Sequence, residues 1–410
     1  MMQVSAHHRN AASRTAVLCI GAFLLPALAQ AADKSSSHWI ASWASSPWTT
    51  KLDQPAGNST FRNVVHISLG GSAIRIALTN EWGRTPLVVG TAHVALSAGA
   101  GKLQPGSDHA LTFAGQPGVT IPSGSYILSD PIAMPVASLA NLAISVYLPE
   151  QTIAVPTCHP MAIANNLTVS GDATTLPALE SARTYPSNCF VKSVEVVAGD
   201  DAATVVAFGD SITDGAHSTL DANRRWPDVL AARLQAEKRT SHLAVINQGF
   251  GGNRVLYDGS GPSALARFDR DVLAQPGAKY LILLEGINDI GQMSRADSPE
   301  ANLTPQQLIF GYVQLVIRAH QHGLKVFGAT ILPTGGAHSN TPQGESVRQA
   351  FNTWLRTAGV VDGVIDFDQA VRDPASPRQI LTPYDSDDRV HPSDNGYKVM
   401  GDAIDLKLFY

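Results

Sequence analysis

Four short blocks of this 410-residue chain carry side chains that could do chemistry together. In the first, Phe208-Gly209-Asp210-Ser211-Ile212, a serine ends a brief β-branched and aromatic run, Thr204 to Phe208. A serine hydroxyl is a weak nucleophile near neutral pH until a base takes its proton, and imidazole is the side chain tuned for that task. His391 is the candidate base, and Asp388, three residues before it, is the candidate partner that would hold its tautomer and stabilise the imidazolium. Ester cleavage passes through a tetrahedral oxyanion, so hydrogen-bond donors must wait where that charge develops. Gly252, in the block from Asn247 to Asn253, can bring a backbone N–H close, and Asn288, in Glu285-Gly286-Ile287-Asn288-Asp289, offers an amide N–H without a competing charge. The N–H of Ser211 would be a third donor. Singly, each has a structural reading: a turn serine, a glycine-rich turn, an asparagine at a helix start, an aspartate cap, a loop histidine. Such readings explain poorly why nucleophile, donors and base recur in this order.

The elements around the blocks are legible from periodicity. Thr204 to Phe208, His242 to Ile246, Tyr280 to Leu284, Lys325 to Ala329 and Val364 to Phe367 read as short buried strands. Between them, Trp226, Val229, Leu230, Arg233 and Leu234 recur at helical spacing, as do Leu308, Ile309, Tyr312, Leu315, Val316 and Ala319. Alternating β and α elements predict a parallel sheet with helices on both faces, whose sites lie at the carboxyl ends of strands. Three blocks directly follow predicted strands there, and Asp388 to Pro392 comes after the fifth.

Before about residue 200 the texture differs. Short alternating segments are broken by Gly, Pro, Asn and Ser, and Val64 to Leu69, Gly70-Gly71 and Ala73 to Leu78 read as strand, turn, strand. This predicts an all-β, sandwich-like region over residues 32–200, ahead of an α/β domain over 201–410. Trp43, Trp48 and Trp82 could stack on sugars or serve as packing.

The first 31 residues stand apart from the fold. Arg9 and Arg14 precede an apolar run from Ala16 to Leu28, and Ala29-Gln30-Ala31 has the small-x-small form of a cleavage site, so a secretory signal cut after Ala31 is expected. A membrane anchor is disfavoured, because the run is short and contains Pro26. Export then predicts a secreted or periplasmic protein without stable membrane insertion, in which Cys158 and Cys189 are paired; two buried thiols or half of a metal site are the alternatives. With 15% charged residues and a net charge of −5, the chain lacks the basic excess of a nucleic-acid binder.

Gly-Asp-Ser, the Asn-x-Gly-x-Gly-Gly block, Gly-x-Asn-Asp and Asp-x-x-His-Pro together resemble the SGNH, or GDSL, hydrolase superfamily over roughly residues 203–408. The resemblance implies a flavodoxin-like three-layer α/β/α fold and hydrolysis of carboxylic esters without metal or organic cofactor. It assigns Ser211, His391 and Asp388 to catalysis and Ser211, Gly252 and Asn288 to the oxyanion hole. Gly252 is preferred over Gly249 and Gly251 because it stands five places after Asn247, where the family's second block puts its oxyanion glycine. Ile212 replaces the familiar leucine. Some exported relatives acting on esterified carbohydrates carry accessory β domains, so the expected substrate is a small-molecule or polysaccharide ester, with O-acetyl esterase or short-chain esterase/lipase activity. Three other readings compete. They are acyl transfer to a sugar or alcohol, a non-catalytic carbohydrate-binding protein, and a metal phosphoesterase built on Asp385, Asp387, Asp388 and His391.

Overall fold

The computed structural model describes residues 38–51 and 57–410; the expected signal segment, 1–31, lies outside the described residues. Five parallel strands form one sheet: β1 (Ala203–Gly209), β2 (Leu243–Gly249), β3 (Ala278–Leu284), β4 (Lys325–Ala329) and β5 (Gly363–Ile365). Their spatial order is 2-1-3-4-5, the doubly wound flavodoxin-like order, with β1 at the point where the winding reverses. The apolar run that suggested β1 is fully buried from Ala203 to Gly209, as a strand covered on both faces requires. Helices Trp226–Ala236 and Asp394–Ala403 pack on each other, as do Pro305–Gln321 and Pro342–Thr357, giving the α/β/α layers. The predicted stripes face inward: Trp226, Leu230 and Leu234 on one helix, Leu308, Tyr312, Leu315, Val316 and Ala319 on another.

The region before residue 200 is built of antiparallel strands. One sheet contains Trp39–Ala44, Val191–Val197, Ile74–Thr79 and Tyr126–Leu128; a larger one is centred on Ser59–His66, Asn141–Leu148 and Thr91–Gly99. Their apolar faces share one core, including Ile40, Phe61, Val65, Ile76, Ile144 and Val194. The strand–turn–strand expected around Gly70-Gly71 is not a hairpin, because Ser59–His66 and Ile74–Thr79 belong to different sheets. At the crossing, a Cβ on Gly70 would lie 2.4 Å from the Val136 carbonyl oxygen and one on Gly71 2.5 Å from that of Val197. The glycines permit this close backbone approach rather than a tight reversal.

Strand Trp39–Ala44 belongs to both cores. Ile40 and Trp43 pack into the β core, whereas Ala41 and Ala44 pack into the α/β core. Its pairing with Val191–Val197 shifts register between Ala41 and Trp43. The Ala41 N–H donates to the Pro276 carbonyl at 3.0 Å and the Thr204 hydroxyl donates to the Ala41 carbonyl at 3.0 Å. β2, an edge of the parallel sheet, is covered from the same side: Val245 N–H donates to Ser68 Oγ at 2.8 Å. Among the described residues no helix is long and apolar enough to cross a membrane.

Candidate active site

Gly209 ends β1 and Asp210 caps the one-turn helix Ser211–Asp214, its carboxylate accepting from Ile212 N–H at 2.9 Å. A Cβ on Gly209 would stand 2.1 Å from Thr213 Oγ1 and 2.5 Å from the Leu284 carbonyl oxygen, so the turn closes that tightly only with glycine. Ser211 Oγ lies 2.7 Å from His391 Nε2, and His391 Nδ1 lies 2.5 Å from Asp388 Oδ2. An ionised carboxylate only accepts, so Nδ1 carries the hydrogen and Nε2 presents its lone pair to the serine hydroxyl. Asp388 Oδ1 also accepts from the backbone N–H groups of Val390 and His391, both at 2.8 Å. Partial burial alone would push the Asp388 carboxyl up, but these hydrogen bonds and the His391 ring hold it down at about 2.

The second block packs against the end of the short helix that Ser211 begins, Asn247 Nδ2 donating to the Thr213 carbonyl at 2.7 Å. Gly249 N–H donates to Asn247 Oδ1 at 2.8 Å, and Gly251 N–H donates to Asp214 Oδ2 at 3.2 Å. Gly252, at φ +74°, has an N–H with no acceptor among the described residues, as does Ser211. Asn288 donates one amide hydrogen to the Asn253 carbonyl at 2.9 Å, and the other has no acceptor among the described residues. Its neighbour Asp289 accepts from Val255 and Leu256 N–H at 2.8 and 3.1 Å. Asn288 and Asp289 thus tie the glycine loop to the end of β3.

Two cavities lie near these donors. One of about 440 Å³ is lined by Ile287, Asn288, Gln292, Arg295, His338 and Val390 among others. One of about 350 Å³ lies against Gly252, Arg254, Ser260, Gln292 and Arg295.

Two supports were invisible in the sequence. Arg267 is buried and fans out beneath the strand ends, donating to the carbonyls of Gly209 at 2.8 Å and Gln248 at 2.9 Å, and to Asn253 Oδ1 at 2.8 Å. It also reaches Asp271, Glu285 and Ser46 Oγ. Burial first, then the neighbouring Asp210 charge, pushes the Glu285 carboxyl well up; burial likewise pushes Asp210 and Asp289 up to about 7. The second support is His159, carried by the β-rich region. Its Nε2 meets Asp214 Oδ1 at 2.9 Å and its Nδ1 meets the Ser46 carbonyl at 2.9 Å. A carbonyl and a carboxylate both only accept, so both ring nitrogens carry hydrogens and the ring is an imidazolium. Burial would lower the His159 pKa, but the Asp214 carboxylate raises it above the ordinary histidine value. No local motif marks Arg267 or His159, because all their partners but Asp271, four residues after Arg267, lie 14 or more positions away along the chain.

Cys158 and Cys189 are joined in a disulfide between directly opposed positions of two short strands, which excludes the free-thiol and half-metal alternatives. His159 follows Cys158, so the bridge anchors the strand that delivers the imidazolium. Trp43 is buried in the β core. Trp48 and Trp82 pack edge to face at 4.2 Å, and Trp48 also meets Phe250 of the glycine loop at 6.5 Å.

The serine–imidazole–carboxylate relay stands at the carboxyl edge of a doubly wound sheet, an arrangement chemically able to carry out nucleophilic acyl transfer. Residues 207–399 match the model of the GDSL-like Lipase/Acylhydrolase family, and this segment is a domain of that family. Similar solved structures include a carbohydrate acetylesterase from Sinorhizobium meliloti, 17% identical, covering 49% of this chain and 95% of its own, TM-score 0.39. An aryl esterase from M. smegmatis is 18% identical over 49% of this chain and 96% of its own, TM-score 0.39. An acetyl xylan esterase is 20% identical over 49% and 96%, TM-score 0.38. No curated protein matches the chain.

Proposed function

We propose that this protein is an exported serine ester hydrolase working through an acyl-enzyme on Ser211. His391 Nε2 takes the hydroxyl proton as Ser211 Oγ attacks the ester carbonyl, and Asp388 stabilises the imidazolium that forms. The free N–H groups of Ser211, Gly252 and Asn288 receive the oxyanion. The imidazolium then protonates the departing alcohol, and water, deprotonated by the same ring, releases the acid. The observation that carries this reading is the unbroken Ser211–His391–Asp388 chain, at 2.7 and 2.5 Å, assembled from residues 180 positions apart.

For the substrate we favour short acyl esters of carbohydrates. The two cavities share Gln292 and Arg295 in their linings. One touches Asn288 and mixes apolar Ile287, Ile290 and Val390 with polar side chains, and the other, against Gly252, is lined almost wholly by polar residues. This supports a small acyl group and a hydroxyl-rich alcohol over a long alkyl chain. The Cys158–Cys189 disulfide, together with the leader-like residues 1–31, supports export. The test is a panel of esters from acetyl to long-chain, including acetylated polysaccharides, assayed with the wild type and Ser211→Ala. Turnover surviving in the serine variant would refute the mechanism, and a preference for long acyl chains would refute the substrate class.

A further inference from the structure

His217 has no part in the reaction above, yet it stands beside the relay. Its Nε2 lies 3.3 Å from Asp388 Oδ2, the same oxygen that His391 Nδ1 meets at 2.5 Å. The two imidazole rings are 5.2 Å apart and tilted by 34°. The backbone that presents His217 is pinned on both sides. The Tyr397 hydroxyl donates to the Ala216 carbonyl at 2.7 Å, and Thr219 N–H donates to Asp394 Oδ1 at 2.8 Å. One ligand atom from each of His217, Asp388 and His391 falls within 4.8 Å of the other two, and the His217 side chain is half exposed.

We propose that His217, Asp388 and His391 form a binding site for a d-block divalent cation such as zinc, and that its occupancy switches off ester cleavage. Two imidazole nitrogens and one carboxylate oxygen are the donors such cations select, whereas magnesium and calcium prefer oxygen alone. Tetrahedral zinc with bonds of about 2.0–2.2 Å holds its donors roughly 3.3–3.6 Å apart. The His217–Asp388 pair at 3.3 Å already fits, whereas His391 Nδ1 and Asp388 Oδ2 at 2.5 Å must open by about an ångström. The exposed His217 ring can swing to bring the two imidazole nitrogens to the same spacing. The consequence follows from the two ring nitrogens of His391. In the metal-free relay its single hydrogen sits on Nδ1 and its lone pair on Nε2. A cation on Nδ1 needs a lone pair there, so the hydrogen leaves Nδ1, the ring takes the tautomer with its hydrogen on Nε2, and that N–H points at Ser211 Oγ. The ring stays neutral overall, but it is now a donor towards the nucleophile and has no pair with which to take its proton.

The inhibitory half rests on His391 being the base; the binding half does not. The test therefore uses two readouts on the chelator-treated full chain: zinc titrations by calorimetry and hydrolysis of a short aryl ester. The expected result is stoichiometric zinc binding, loss of hydrolysis along the same isotherm, recovery with chelator, and no effect of magnesium. His217→Asn suits the left-handed backbone at φ +66° and should weaken both binding and inhibition by roughly tenfold or more, each normalised to that variant's metal-free rate. Ser211→Ala should bind zinc like the wild type. The site is overturned if zinc produces no binding heat up to millimolar concentration, or if His217→Asn binds and is inhibited at the same zinc concentration as wild type. Retained hydrolysis in Ser211→Ala would instead overturn the catalytic reading, leaving calorimetry to judge the metal site.

Discussion

His391 and Asp388 are three residues apart on one surface segment, whereas His159 and Asp214 come from opposite regions of the molecule and are buried. Both pairs are an imidazole against a carboxylate at hydrogen-bond distance, and the third partner separates them. The outer nitrogen of His391 faces a hydroxyl that can give up a proton, so that ring is an acceptor in waiting. The outer nitrogen of His159 faces the Ser46 carbonyl, which can only accept, so that ring is locked as a cation. One pair can turn over protons. The other holds the base of the glycine loop, since the second oxygen of Asp214 receives Gly251 N–H.

This contrast predicts opposite phenotypes. His391→Ala should lower kcat by roughly 10⁴-fold or more while costing only about 1 kcal/mol of stability, the share of the partly exposed Asp388 contact that the ring supplies. Ester assay beside urea unfolding checks both, and an equal loss of stability would erase the distinction. His159→Ala should instead destabilise the fold by about 3–5 kcal/mol, because it strands a buried carboxylate. A urea midpoint unchanged from wild type would show that Asp214 finds another partner.

Reduction of Cys158–Cys189, which closes a loop of 31 residues, should lower stability by roughly 3–4 kcal/mol in the chain-entropy model. Because the bridge anchors the strand before His159, activity should fall with stability as denaturant is added to the reduced protein; reduced protein that unfolds at the wild-type midpoint would contradict this. Asn288→Ala should cost about 2–4 kcal/mol in kcat/KM, and a loss confined to KM would mean that its amide serves ground-state binding instead.

The smallest expected effect is in the pH dependence of stability. The raised His159 pKa means the folded chain holds a proton that the unfolded chain releases, so this contribution is complete below about pH 6.5 and lost as pH rises through the folded value. Asp210 and Asp289, pushed up to about 7, act in the same direction between about pH 4 and 7. Asp388, held at about 2, acts oppositely, contributing above about pH 4 and losing its effect as pH falls towards 2. Unfolding measured from about pH 6.5 upward should therefore show a steeper decline for wild type than for His159→Gln. Parallel declines would mean that His159 is neutral.

Removing the β-rich region whole would not test its role cleanly. Ala41 and Ala44 lie in the α/β core, so deletion would open that core as well as remove His159. Point variants at His159 and Ser46 isolate the coupling.

Much of the site was readable in advance because its chemistry is written locally. A nucleophile at a strand end, an amide at a helix start and a base with its acid three residues away each leave a short pattern, and β1 to β5 announce themselves as buried runs. Around Gly70-Gly71 the two strands were legible but not their partners, because alternation shows that a segment is extended and not which sheet receives it. The choice among the glycines rested on spacing, and in the structure only Gly252 keeps an unpartnered N–H.

The sequence by itself determined the strands, the helix faces and the four chemical blocks, because each depends on periodicity or on neighbours within a few residues. Tertiary structure alone decided that Arg267 would tie the ends of β1 and β2, that His159 would cross from the β-rich region to Asp214, and that His217 would stand against the relay. Those contacts join residues tens to hundreds of positions apart. A lone arginine or histidine carries no local mark of its partner until packing removes water and leaves each buried donor and acceptor to find the other.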